Sequence, residues 1–195
     1  SSPATHEDIL LTTHTHWDHI QVDFQSSFPG QQLMAQAGSI QLPDVIIQGI
    51  PSAHNATDRL SPEGGTNTIY LIEMDGVRIA HFGDIGQIAL TPEQLDSLGR
   101  VDLAITQFAN PYSDMSAQNQ KGFHLMGQVE PRLIIPTHID LDAAKLAVAQ
   151  WQGLYSDLPA VRICAANLPI QTQILFLGQR AAQYAQRLQL IKVNW

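Results

Sequence analysis

The segment TTHTHWDHI, residues 12–20, places three histidines and an aspartate within six consecutive positions, His14 to His19. Imidazole nitrogens and carboxylate oxygens are the donors that suit Zn²⁺, Mn²⁺ and Fe ions. His14 and His16 are two residues apart, so an extended chain presents both on one face. Asp18 and His19 follow where the chain must turn and can aim at a second position. A solvated polar turn is the competing reading, but ligand-type residues at this density point to a bound cation.

Three more segments end on the same chemistry: PSAH at His54, FGD at Asp84 and IPTH at His138. Each follows a run of apolar or β-branched residues, the mark of a short buried strand. Strand ends on one edge of a sheet face the same way, so residues far apart in sequence can converge there. The strands read as DILLTTH, VIIQGIPSAH stopping at Pro51, the pair flanking Asp75-Gly76, VDLAITQF, PRLIIPTH and TQILFLG. Asp75-Gly76 between β-rich runs predicts a two-residue hairpin turn. TPEQLDSLG predicts a short helix capped by Thr91 and Gln94, with Pro92 at its first position and Gly99 at its end. SAQNQKGFHLMGQVE, LDAAKLAVAQWQGL and RAAQYAQRLQL read as further helices, and SSFPGQQ and GSIQLPD as turns. NATDRLSPEGGTN reads as a long loop. Alternating strands and helices argue for an α/β layered domain.

The chain of 195 residues carries 10 basic against 18 acidic residues, a formal net charge of −8, with no cluster of Lys or Arg. A protein that grips a phosphate backbone shows a basic stripe, so no nucleic-acid partner is expected. No run of 18 apolar residues is present, and no membrane-spanning segment is expected. The one cysteine, Cys164, lies in apolar VRICAAN and reads as a buried, inert thiol. Oligomeric state is left open, a homo-oligomer included. So is localisation, with the cytoplasm slightly favoured.

The order of these motifs, His14-Thr15-His16-Trp17-Asp18-His19, then GIPSAHN, NTIYLIEMDGVRIAHFGDIGQ and RLIIPTHID, resembles the metallo-β-lactamase superfamily with its HxHxDH signature. The likeness runs from about residue 8 to residue 140 and points to the branch that includes ascorbate-6-phosphate lactonase and the phospholipase D that releases N-acylethanolamines. It implies an αββα sandwich with two divalent metal ions, zinc first and manganese or iron as alternatives. By the resemblance His14, His16 and His54 bind one metal, Asp18, His19 and His138 bind the other, and Asp84 bridges them. A metal-bound hydroxide would attack a small-molecule ester, lactone or phosphodiester, with Asp18 as the catalytic residue that orients it and collects its proton. An RNA-processing nuclease of the same superfamily and a metal-binding module without turnover are the alternatives.

The family carries several strands ahead of HxHxDH, and 13 residues precede it here. The expectation is a single domain over residues 1–195, N-terminally incomplete. The segment ANPYSDMSAQNQKGFH replaces a glycine-rich turn of this branch, which makes Asn110 and Tyr112 candidates for substrate binding. The remaining polar residues have plainer readings. His81 is expected to support the ligands or pack in the core, and His6 and His124 to be surface or packing residues. Asp58, Arg59 and Glu63 belong to a solvated loop, and Trp151 and Tyr155 to the core.

Overall fold

In the computed structural model, residues 3–16, 20–60 and 65–195 are described. Eleven strands are present among them: β1 (Ile9–Thr12), β2 (Gln31–Met34), β3 (Gly38–Gln41), β4 (Val45–Ser52), β5 (Asn67–Met74), β6 (Val77–His81), β7 (Leu103–Thr106), β8 (Leu133–Pro136), β9 (Gln152–Ser156), β10 (Gln173–Leu177) and β11 (Ile191–Lys192). The helices are α1 (Val22–Ser27), α2 (Pro92–Leu98), α3 (Lys121–Val129), α4 (Leu141–Gln150) and α5 (Gln179–Leu188).

Nine strands form one sheet in the order β11-β9-β10-β8-β7-β6-β5-β4-β3. Alternation along each strand divides its side chains between two faces. Ile69 and Leu71 of β5, Ala80 of β6, Ala104 of β7, Ile134 of β8 and Ile174 of β10 join one cluster with Leu98 of α2, Phe123 of α3, Ala144 of α4 and Ala181 of α5. Those four helices therefore cover one face. On the other face, Tyr70 and Ile72 of β5 and Ile47 of β4 meet Leu33 of β2 and Ile9 and Leu11 of β1. The pair β1-β2 is a separate two-stranded parallel sheet. Farther along that face, Leu103, Leu133 and Leu175 pack under Val161, Ile163, Leu168, Val193 and Trp195. The α/β class is as expected, and among the described residues the second β-layer of the sandwich consists of two strands.

Local chemistry explains most boundaries. Asp75 and Gly76 both take positive φ, 52° and 74°, and Met74 pairs directly with Val77, the two-residue hairpin that this dipeptide favours. Thr91 and Gln94 form the reciprocal capping box of α2, worth about 1 kcal/mol.

Four readings of the sequence need correction. First, β4 runs through Pro51, which pairs with Thr68. β3 reaches only to Gly49, so at Pro51 the strand has a neighbour on one side, the setting in which proline is tolerated. Second, α4 ends at Gln150 and Gln152–Ser156 forms β9. Trp151 and Tyr155 therefore reach the helix-side core from beside and within a strand rather than from a helix, and Trp151 stacks on Phe123 at 5.8 Å and 10°. Third, the turn-rich stretch 26–44 contains β2 and β3. Fourth, Cys164 is exposed, because its segment is a loop whose backbone is held by the side chain of Asn167.

Candidate metal centre

The topology sets where the strands end. β4 and β6 each run antiparallel to β5, and β6, β7 and β8 run parallel. The C-terminal ends of β4, β6, β7 and β8 and the start of β5 thus share one edge. β1 joins it where Thr68 N donates to Thr13 O at 2.7 Å. His14, His54, Asn67, Asp84, Asn110 and His138 all lie at or just beyond these ends.

Four of the expected residues come together. His14 Nε2 lies 3.7 Å from Asp84 Oδ2, and His54 Nε2 lies 3.6 Å from the same oxygen. The ring of His16 lies 4.9 Å from that of His14 and 4.5 Å from that of His54. One ligand atom each from His14, His16 and Asp84 can be chosen with all three within 4.8 Å of one another. His14, His54 and Asp84 are buried, while His16 is exposed.

The residues fit a divalent cation. Hydrogen bonds to a carboxylate would bring nitrogen to about 2.7–2.9 Å. Two ligand atoms about 2 Å from a shared ion stand on the order of 3–4 Å apart, the spacing seen around Asp84 Oδ2. His54 Nε2 is buried with no hydrogen-bond partner among the described residues, a costly state for an imidazole nitrogen that nothing coordinates. His14 is held through Nδ1 by Thr13 Oγ1 at 2.9 Å, which leaves Nε2 turned toward the carboxylate, as metal-ligating histidines require.

His138 stands on the same edge. Its carbonyl accepts from Phe108 N and Ala109 N, and its side chain is exposed in a pocket shared with Asn110. Asp18 and His19 lie outside the described residues.

A buried polar scaffold holds this edge. Asn67, fully buried, donates through Nδ2 to Ser52 Oγ and Phe82 O, and its Oδ1 accepts from Asp84 N at 3.0 Å. Asn110, 3 % exposed, donates to Asp84 Oδ2 at 3.1 Å and to Gln107 Oε1 at 2.8 Å, and accepts from Tyr112 N. Both amide donors of Asn110 thus have partners inside the protein. The side chain of Tyr112 is 81 % exposed. Gln107 carries the chain onward to Ile85 O and Ser113 Oγ. Asp58 accepts from Asn55 N and Thr66 Oγ1, and that hydroxyl accepts from His54 N at 2.9 Å. The Thr66 bond holds the Asp58 carboxyl below its ordinary value. Asp58 therefore has a structural task that the loop reading did not give it.

His81 is half-buried, and its Nδ1 accepts from Gly83 N at 3.1 Å. Burial pushes its pKa below the ordinary histidine value, against the opposing pull of the nearby Asp84 carboxylate. Gly83 has φ +58°, and a Cβ there would lie 2.5 Å from Asn67 Oδ1 and 2.6 Å from Thr13 Cβ. At Gly86 a Cβ would meet His54 O at 1.9 Å. Asn67, Gln107 and Thr66 were not singled out from sequence. Amides and hydroxyls beside strands carry no local signal of what they will bond.

The family described as "Beta-lactamase superfamily domain" matches residues 1–138. Among solved structures, the chain is similar to a protein of Thermotoga maritima assigned to the Zn-dependent hydrolases of the metallo-beta-lactamase superfamily. That match has 17 % identity and a TM-score of 0.62, covering 90 % of this chain and 84 % of the other. It is similar to a protein of Parabacteroides distasonis assigned as a metal-dependent hydrolase, at 19 % identity and TM-score 0.54, with 85 % and 74 % covered. It is also similar to a metallo hydrolase of Ignicoccus hospitalis, at 20 % identity and TM-score 0.53, with 89 % and 78 % covered. At these identities the likeness is one of fold. No curated protein matches significantly. Among the described residues, no helix is long and apolar enough to cross a membrane.

Proposed function

Because the chain belongs to the metallo-beta-lactamase superfamily, we propose that it is a metal-dependent hydrolase of small esters, lactones or phosphodiesters. The observation that carries this reading is the convergence of His14 and His54 on the single oxygen Asp84 Oδ2, with His16 alongside. His14, His16 and His54 would hold one divalent cation. Asp18, His19 and His138 would hold a second, with Asp84 between them. Bound, such cations supply Lewis acidity to the scissile group and lower the pKa of water to about 7 in favourable sites.

The chain's own residues set the geometry. Asn67 fixes the backbone of Asp84, Asn110 fixes its carboxylate, Thr13 orients His14, and Thr66 with Asp58 fixes the peptide of His54. Asp18 is assigned the roles of orienting the attacking water and accepting its proton. Zinc suits the nitrogen-rich donor set, and manganese or iron would also be accepted.

The test strips the protein with a chelator, reloads it with zinc or manganese, and assays a panel of esters, lactones and phosphodiesters. Hydrolysis should require metal and should fall in Asp18→Ala and His54→Ala. Turnover indifferent to metal and to both substitutions would refute the assignment.

A further inference from the structure

In the nine-stranded sheet β4 and β6 are separated by β5, which keeps their backbones two strand spacings apart, about 9–10 Å. His54 and Asp84 follow these two strands, yet their side chains close to 3.6 Å. The gap is bridged beyond Asn67, where β5 begins. There Gly86 N donates to Ala53 O at 2.9 Å, and Ala53 N donates to Gln87 Oε1 at 3.0 Å. The residue before His54 is thus held through both its backbone polar groups by the segment that follows Asp84.

Gln87 is 7 % exposed and pairs with Gln94 of α2, 4 % exposed. Their side-chain amides bond reciprocally, Gln87 Nε2 to Gln94 Oε1 at 2.7 Å and Gln94 Nε2 to Gln87 Oε1 at 3.2 Å. Gln87 Nε2 also donates to Ala89 O and Gln94 Nε2 to Pro51 O, each at 2.7 Å, while Gln94 Oε1 accepts from Thr91 N at 2.9 Å. Every donor hydrogen and acceptor lone pair of both amides is therefore used. The backbone partners also fix the sense of each amide. The oxygens face the N–H groups of Ala53 and Thr91, and the nitrogens face the carbonyls of Ala89 and Pro51. A buried polar pair satisfied on every side rigidifies what it joins. Here it joins the end of β4, the loop after Asp84 and the first turn of α2. Helix capping alone does not require this, because the cap uses only Gln94 Oε1, and the two bonds from Nε2 serve Pro51 and Gln87.

We infer that Gln87 and Gln94 are positioning residues for the candidate metal centre: they set the backbone of residues 51–54 and so hold His54 against Asp84. The inference rests on the proposed role of His54 as a ligand, and both glutamines act through the peptides of Pro51 and Ala53.

Three variants separate this role from helix capping. Gln94→Glu keeps an oxygen for Thr91 N and suits a helix N-terminus, but it sets oxygen against Pro51 O and Gln87 Oε1. Gln87→Met keeps the length of the side chain and leaves Ala53 N without its acceptor. Thr91→Ala removes the hydroxyl that accepts from Gln94 N and spares the amide pair. Zinc affinity is read by competition with a chromogenic chelator. Amide hydrogen exchange of Ala53 in the metal-free protein is read relative to that of Ile134 in β8, a central strand, so that global stability cancels. Gln94→Glu and Gln87→Met should each bind zinc about tenfold more weakly. In both, the Ala53 exchange ratio should rise about tenfold. Thr91→Ala should lower the urea midpoint and leave zinc affinity and the exchange ratio at parent values.

Parent-like zinc affinity in both glutamine variants, an unmoved Ala53 ratio, or an equal loss of zinc affinity in Thr91→Ala would overturn the inference. A parent protein that binds no zinc would instead remove the metal-centre reading, and the Ala53 ratio alone would then decide whether the pair sets this backbone. Zinc binding without turnover of any ester, lactone or phosphodiester would remove the hydrolase reading and leave the inference standing.

Discussion

Asn110 Nδ2 lies 3.1 Å from Asp84 Oδ2, the oxygen that His14 and His54 approach at 3.7 and 3.6 Å. A donor amide at this distance fixes the orientation of the carboxylate, so Asn110 acts on the centre through Asp84. Asn110→Ala should lower zinc affinity by about 10–100-fold, the usual cost of losing a group that orients a ligand. Competition titration against a chromogenic chelator measures this, with the urea midpoint of the metal-free protein as companion. A fall in midpoint with unchanged zinc affinity would show that Asn110 serves packing alone.

The peptide of His54 is fixed by a two-step relay, His54 N to Thr66 Oγ1 and Thr66 Oγ1 to Asp58 Oδ2. The Asp58 carboxyl sits below its unfolded value of 3.8, with the Thr66 bond as the largest cause. A lowered folded pKa contributes stability that is present above that unfolded value and is lost as pH falls through the folded one. Asp58→Asn should therefore be less stable than the parent at neutral pH, and the difference should shrink on acidification toward about pH 3. Urea midpoints for both proteins across that range provide the check. A constant difference would mean that the Asp58 charge takes no part in the relay.

The parts legible in the sequence are those with a local cause. Asp75-Gly76 makes its own turn, Thr91 and Gln94 cap their own helix, and the ligand-type residues mark the strand ends they follow. The convergence of His14, His54 and Asp84 was legible because parallel strand ends share an edge. What escaped reading depends on distant partners. β2 and β3 are short, glutamine-rich strands whose one buried side chain each, Leu33 and Ile40, joins a cluster with Tyr70. Pro51 looks like a strand terminator until one sees that β3 has already ended. Cys164 looks buried by composition, yet its apolar neighbours lie in a loop. Asn67 and Asn110 became meaningful only when folding brought both to Asp84, one at its backbone and one at its side chain.

Gly83 links the hairpin to the centre. Its φ of +58° and the two contacts a methyl would make, with Asn67 Oδ1 and Thr13 Cβ, forbid a side chain for separate reasons. Gly83→Ala should cost about 2–4 kcal/mol from the left-handed backbone and the overpacking together. The clash falls on Asn67, which holds Asp84 N, and on Thr13, which orients His14. Zinc affinity should therefore fall along with stability. Chemical denaturation and zinc titration of the same preparation test both, and a destabilised variant with full zinc affinity would show that the strain does not reach the ligands.

Tyr70 fastens the small sheet to the large one. From β5 its hydroxyl donates to Thr12 O of β1 at 3.0 Å and to Leu33 O of β2 at 2.9 Å, and its ring lies in the cluster between the two sheets. Burial raises its pKa from 10.0 to about 12, because the phenolate would be stranded away from water. A raised folded pKa gives stability that is fully present below the unfolded value of 10.0 and disappears as pH climbs toward 12. Of the four tyrosines in the chain, one should resist ionisation in an ultraviolet titration of the native protein, and Tyr70→Phe should abolish that late step. The substitution should also cost about 1–2 kcal/mol at neutral pH by removing the donor shared by the two carbonyls. Because Thr12 stands two residues before His14, loosening β1 should weaken zinc binding in Tyr70→Phe. Unaltered zinc affinity would show that β1 holds the histidines in place without this hydroxyl.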